Sequence, residues 1–148
     1  MQKEIMEHLL KKMYVIHALP SRVWEALTNP DLIKEYFFDS NVISEWEEGS
    51  DITWSGVWEG QEYFDKGKIV HIDPEKKITF THWSNRSGLP DKPENYSWYS
   101  YELQLNGKAT ELTIIQENKS GGPNNEKAWE HWDIAMQGLK NLLEKQEA

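Results

Sequence analysis

The sequence predicts an α+β domain: a curved antiparallel sheet of about six or seven strands wrapped on a long C-terminal helix, with two short helices after the first strand. Three observations carry this. The stretch Val15 to Phe38, V-I-H-A-L-P-S-R-V-W-E-A-L-T-N-P-D-L-I-K-E-Y-F-F, runs from a strand end straight into two helices of about two turns each, too short to stand alone in water. The middle of the chain alternates apolar and polar residues between Gly, Pro and Asn turns, as successive hairpins do. From about Asn125 towards Gln146 a helical period of 3.6 gathers Trp129, Trp132, Met136, Leu139 and Leu143 on one face.

The elements follow in order. Residues 1–10 read as a tail or frayed helix, and 11–148 as a single domain. Lys11 to Ala18 is the first strand. Pro20 suits the first helical position, where its missing N–H costs nothing, and Val23, Trp24 and Leu27 repeat on one helical face. Asn29-Pro30 stops that helix, because a residue before proline avoids the α region. The same pair starts the next, with Asn29 as cap and Asp31 at the positive end of the dipole. Its apolar stripe is Leu32, Ile33, Tyr36 and Phe37.

Asn41 to Trp46 is a short strand, and Glu47-Glu48-Gly49 a turn. Asp51 to Trp58 alternates, placing Ile52, Trp54, Gly56 and Trp58 on one face. Tyr63 to Ile72 and Lys76 to Ser84 flank the turn Asp73-Pro74-Glu75. Asn85 to Asn95 is a Pro/Gly-rich loop longer than a hairpin needs, expected to be mobile near a pocket mouth. Tyr96 to Leu105 and Ala109 to Asn118 form the clearest hairpin, around Asn106-Gly107.

Composition excludes several classes of function. The chain has 148 residues and no cysteine, which removes disulfides, thiolate metal sites and cysteine nucleophiles. No apolar run suits a signal peptide or a membrane span, so the expected setting is cytoplasmic. With 25 acidic and 16 basic residues the net charge is −9, which argues against nucleic acid and anionic membranes and serves solubility.

Catalytic motifs are absent from the sequence. The five histidines lack metal-ligand spacing, so no metal site is expected. Neither Ser87-Gly88 nor Ser120-Gly121 sits in a nucleophile elbow, and Gly121-Gly122 lacks dinucleotide spacing, so no cofactor is expected. His82 follows Ile78 and Phe80 at period two and should face inward, as should His71, in phase with Gly67 and Ile69. No catalytic residue is assigned.

Pro20 to Pro30, Pro-x-x-Val-Trp-x-Ala-Leu-Thr-x-Pro, resembles the signature of the Hsp90-ATPase-activator-like proteins of the START/Bet v 1-like superfamily. Gly67-Lys68-Ile69 with Asp73-Pro74, Tyr101-Glu102-Leu103 and Thr110-Glu111-Leu112-Thr113 follow in the family's order, so the likeness covers nearly the whole chain. Tyr36 stands where the family usually has Trp, and Leu19 where a capping Ser is common, at a cost of about 1 kcal/mol of cap. The resemblance implies a helix-grip fold with a pocket between sheet and C-terminal helix. Eight tryptophans and eighteen aromatics in all suit a pocket wall.

That wall is expected to comprise Trp54, Trp58, Phe80, His82, Tyr99 and Tyr101 on the sheet, facing Trp129, Trp132 and Met136 on the helix. A cytosolic domain binding a small apolar or aromatic ligand is the first functional reading. A regulator of an Hsp90-type chaperone is the second, as the family name implies. A cyclase- or dehydratase-like enzyme using a pocket His or Tyr is the third. A second copy of the chain, as a homodimer, stays open as a partner. Rings interdigitated around no more than a water or two would instead favour an interaction surface.

Overall fold

Hairpin connections make each strand pair with its neighbour in sequence, and this orders most of the sheet. The computed structural model describes residues 9–85, 88–117 and 126–146, with side chains at 11–85, 88–117 and 132–145. Seven strands, β1 (Leu9–Ile16), β2 (Asn41–Ser44), β3 (Asp51–Trp58), β4 (Gln61–Asp73), β5 (Lys77–Ser84), β6 (Ser97–Asn106) and β7 (Ala109–Glu117), form one sheet. Its order is β1-β7-β6-β5-β4-β3-β2, antiparallel throughout. Helices α1 (Pro20–Thr28) and α2 (Pro30–Tyr36) carry the chain from β1 to the far edge strand β2. The long α3 (Glu126–Gln146) packs across the sheet, and the whole is the helix-grip arrangement. No helix among the described residues is long and apolar enough to cross a membrane.

Local chemistry explains the short helices. Asn29 caps α2, its Oδ1 accepting the Asp31 N–H at 2.9 Å, whereas Leu19 gives α1 no side-chain cap. Tyr36 compensates through tertiary contact: its buried hydroxyl donates to the Ala26 carbonyl at 2.8 Å and ties α2 to α1. Trp46 adopts a left-handed backbone (φ 57°), which ends β2 at Ser44, two residues before the expected limit.

The core lies between the sheet and α3, where Ala135, Met136, Leu139 and Leu143 meet Ile16, Ile69, Ile78, Leu112 and Ile114. Polar ties fix the helix along β1. The Asp133 carboxylate accepts from Lys12 Nζ and the Tyr14 hydroxyl, both at 2.7 Å. His17 N–H donates to Glu144 at 2.9 Å, and Lys140 donates to the Val15 carbonyl.

One irregularity shapes the inner face. At Gly67 a Cβ would lie 1.7 Å from the Thr81 carbonyl oxygen, so β4 and β5 approach as only glycine allows. Beyond it the ladder slips: Ile69 pairs with Phe80 but His71 with Thr79, leaving one extra residue on β4. This bulge overturns the inward placement of His71. Its imidazole is half exposed, 3.9 Å from Glu48 on the outer side.

Two tests follow from these contacts. Gly67→Ala should lower stability by about 3 kcal/mol, the upper end for overpacking; an unchanged denaturation midpoint would contradict the close approach. The Lys12 hydrogen bond, with that from Tyr14, holds the Asp133 carboxyl below its ordinary range. Its stabilisation is therefore complete above ~pH 4, the unfolded value, and disappears as pH falls through the folded one. Because the pair is half exposed, Asp133→Asn should cost only about 0.2–1 kcal/mol at pH 7. A gap in melting temperature that persists undiminished at ~pH 2 would refute the assignment.

Candidate functional site

Period-two alternation on β3, β5 and β6 turns the expected aromatic wall towards α3. Trp54, Phe80, Tyr99, Trp132 and Met136 are buried, and His82 and Tyr101 are half-buried beside them. Trp54 meets Phe80 at 5.4 Å and His82 at 5.2 Å between ring centroids. Phe80 stacks on Tyr99 at 5.7 Å and meets Tyr101 edge-on at 5.3 Å. Trp132 of α3 closes the group, 5.6 Å from Tyr99 and 5.8 Å from Tyr101. The expectation for Trp129 falls on a side chain outside those described.

Trp58 stands apart from this group. Although it shares the phase of Trp54, it lies at the end of β3 and packs edge-on against Phe38 at 4.7 Å. Together with Tyr36, Ile134, Asp31 and Glu35, these two rings line an open surface groove of about 590 Å³. Phe37 links groove and interior, 5.4 Å from Phe38 and 5.5 Å from Trp132.

The interior itself is closed. The void bounded by Tyr36, Phe37, Trp54, Phe80 and Tyr101 measures about 20 Å³, room for one water, which needs roughly 10–15 Å³. The rings thus fill most of the volume they were expected to line. The described part of the loop after β5 is tied to the sheet. Its Asp91 pairs with Lys66 at 2.5 Å and accepts from the Tyr96 hydroxyl, while Trp83 donates to the Leu89 carbonyl at 3.1 Å. Lys66 and Trp83 pair across the ladder on the outer face, so these ties draw the described part of the loop away from the interior.

The wall also holds polar groups. Asp65 of β4 lies directly opposite Trp54 in the ladder, and its Oδ2 bonds His82 Nε2 at 2.8 Å. Burial, and then the Asp65 charge, push the Tyr99 hydroxyl up to about 12, although the Trp132 indole N–H donates to its oxygen. Tyr99 thus stays protonated and neutral at physiological pH. Sequence reasoning missed Asp65, Phe37 as a link, and Phe38. The signal for Asp65 was present: it falls in phase with Gly67 and Ile69 on β4.

A curved antiparallel sheet gripping a C-terminal helix, with an aromatic inner face, defines a START/Bet v 1-like domain. Within that class, residues 17–144 match the family described as Activator of Hsp90 ATPase homolog 1-like protein, and the chain belongs to it. The solution structure of ChR145 from Cytophaga hutchinsonii is 38% identical over 93% of this chain and 94% of that one, with a TM-score of 0.75. NE0264 from Nitrosomonas europaea shares the fold at 23% identity, covering 97% of each chain with a TM-score of 0.79. CV1439 from Chromobacterium violaceum does so at 20% identity, over 93% of this chain and 97% of that one, with a TM-score of 0.78. No curated protein matches the chain.

Among the described residues, the ring contacts between sheet and α3 converge on Trp132. Trp132→Ala should cost about 3–5 kcal/mol, as for a packed core aromatic. A chemical denaturation midpoint within error of the parent would show that this ring does not bear on the core.

Proposed function

We propose that the domain binds a small apolar or aromatic ligand between the sheet and α3, admitted through the groove at Phe38 and Trp58. One observation carries this reading. The rings run without a break from the open groove, through Phe38 and Phe37, to Trp132 and the inner wall, and Tyr36 lines both groove and inner void. A ligand ring entering along this line replaces edge-on contacts with similar ones, so the closed state is the unliganded form of the pocket. Phe38 and Asp39 both have left-handed backbones (φ 52° and 55°), a conformation costing roughly 1–2 kcal/mol per residue. A cysteine-free chain suits the reducing cytosol for this role.

The packed interior specifically favours a second reading, an interaction domain related to chaperone regulation. There the groove would be the contact surface and the aromatic wall only core. No catalytic step is assigned, since His82 and the tyrosines are accounted for by packing and hydrogen bonds.

Native mass spectrometry of freshly purified protein, followed by titration with 1-naphthol, separates the two. The ligand reading expects a retained small-molecule mass, or quenching of tryptophan fluorescence with a rise in melting temperature by mass action. Phe37→Ala should speed probe entry. A clean spectrum and no response to the probe, together with stimulation of an Hsp90-type ATPase, would overturn the ligand reading in favour of the second.

A further inference from the structure

Among the described residues, two buried acceptor oxygens on the inner face of the sheet have no hydrogen-bond partner, Asp65 Oδ1 and Gln116 Oε1. A core that served packing alone would gain by replacing either with an aliphatic group, because an unmade buried hydrogen bond is costly. Their surroundings point to what they lack. Asp65 Oδ2 is already bonded to His82 Nε2 at 2.8 Å. A carboxylate only accepts, so His82 Nε2 carries a proton and donates it to Oδ2, which leaves Oδ1 as the open acceptor. Trp54 stands opposite Asp65 across one ladder, and Tyr99 opposite Gln116 across another. Both rings meet His82 edge-on, at 5.2 and 5.7 Å. The pair is reachable, with side chains 19% (Asp65) and 27% (His82) accessible.

This cluster offers two open acceptor oxygens, one of them on a carboxylate, beside aromatic rings. We propose that the Asp65–His82 pair is the polar anchor of the ligand seat and that it selects a protonated amine on an apolar or aromatic body. The inference rests on the ligand-binding reading above and names the chemistry of its ligand. The ammonium donates to Asp65 Oδ1, and Trp54 and Tyr99 favour its charge through their ring faces. A carboxylate ligand meets like charge at Asp65, and an alcohol supplies one donor without charge. Gln116 Oε1, three strands from Asp65 in the sheet order, is the seat for a donor at the other end of a longer ligand.

Isothermal titration of the full chain with 2-phenylethylamine, 2-phenylethanol and phenylacetate tests this. The amine should bind about tenfold or more tighter than the alcohol, and phenylacetate weakest. In Asp65→Asn the amine should fall to the level of the alcohol, whose affinity stays near its original value. Should that variant fail to fold, imidazole NMR of the parent serves instead: the amine should shift the His82 signals, and phenylacetate should not. An amine that binds no better than the alcohol, or that keeps its preference in Asp65→Asn, overturns the anchor while leaving the ligand-binding reading intact. If none of the three probes binds, the anchor falls, while the 1-naphthol titration decides the ligand-binding reading separately.

Discussion

Burial of one face of α3 against a concave sheet is the constraint on which the rest of this structure depends. The helix cannot be stable through propensity alone, and its apolar stripe is buried against the inner face of the sheet and against the two short helices. Trp132 takes the central place, with Tyr99, Tyr101 and Phe37 packed on three sides of its ring. The polar ties along β1, from Asp133 to Glu144, set the position of the helix along its length but contribute little of its burial. Helix–sheet spacing is consequently decided by how the rings fit, and here they leave a void of only about 20 Å³.

That fit bears directly on function. A helix-grip domain with a wide interior holds its ligand in a preformed cavity. In this chain most of that volume is occupied by the protein's own rings, so the proposed binding would have to displace or rearrange them. The cost of doing so sets a floor on the affinity a ligand must supply, and it favours flat rings that restore the lost contacts. Phe38 lines the groove, and Phe37 joins it to Trp132 of the interior.

Within an otherwise apolar face, Asp65 and His82 break the pattern. Gly67 makes their placement feasible: its missing side chain lets β4 and β5 approach closely just beside the pair. The bulge that follows keeps Ile69 inward and sends His71 out. Two histidines that look equivalent along the sequence end on opposite sides of the sheet because of one unpaired backbone residue.

Periodicity is a local property, and whatever depends on it was legible from the sequence. The long amphipathic helix, the Asn29 cap, the Asn106-Gly107 hairpin and the inward phase of Trp54, Phe80, Tyr99 and Tyr101 all rest on neighbouring residues and standard backbone geometry. Family membership was equally readable in Pro20 to Pro30, because that motif encodes the turn between two helices. Tertiary structure alone decided the rest. Whether facing rings enclose a cavity or fill it depends on volumes contributed by distant segments, and a two-residue period carries no information about volume. The bulge at β4, the pairing of Asp65 with His82 across two strands, and the link from Trp58 to Trp132 through Phe37 and Phe38 arise only when those segments meet.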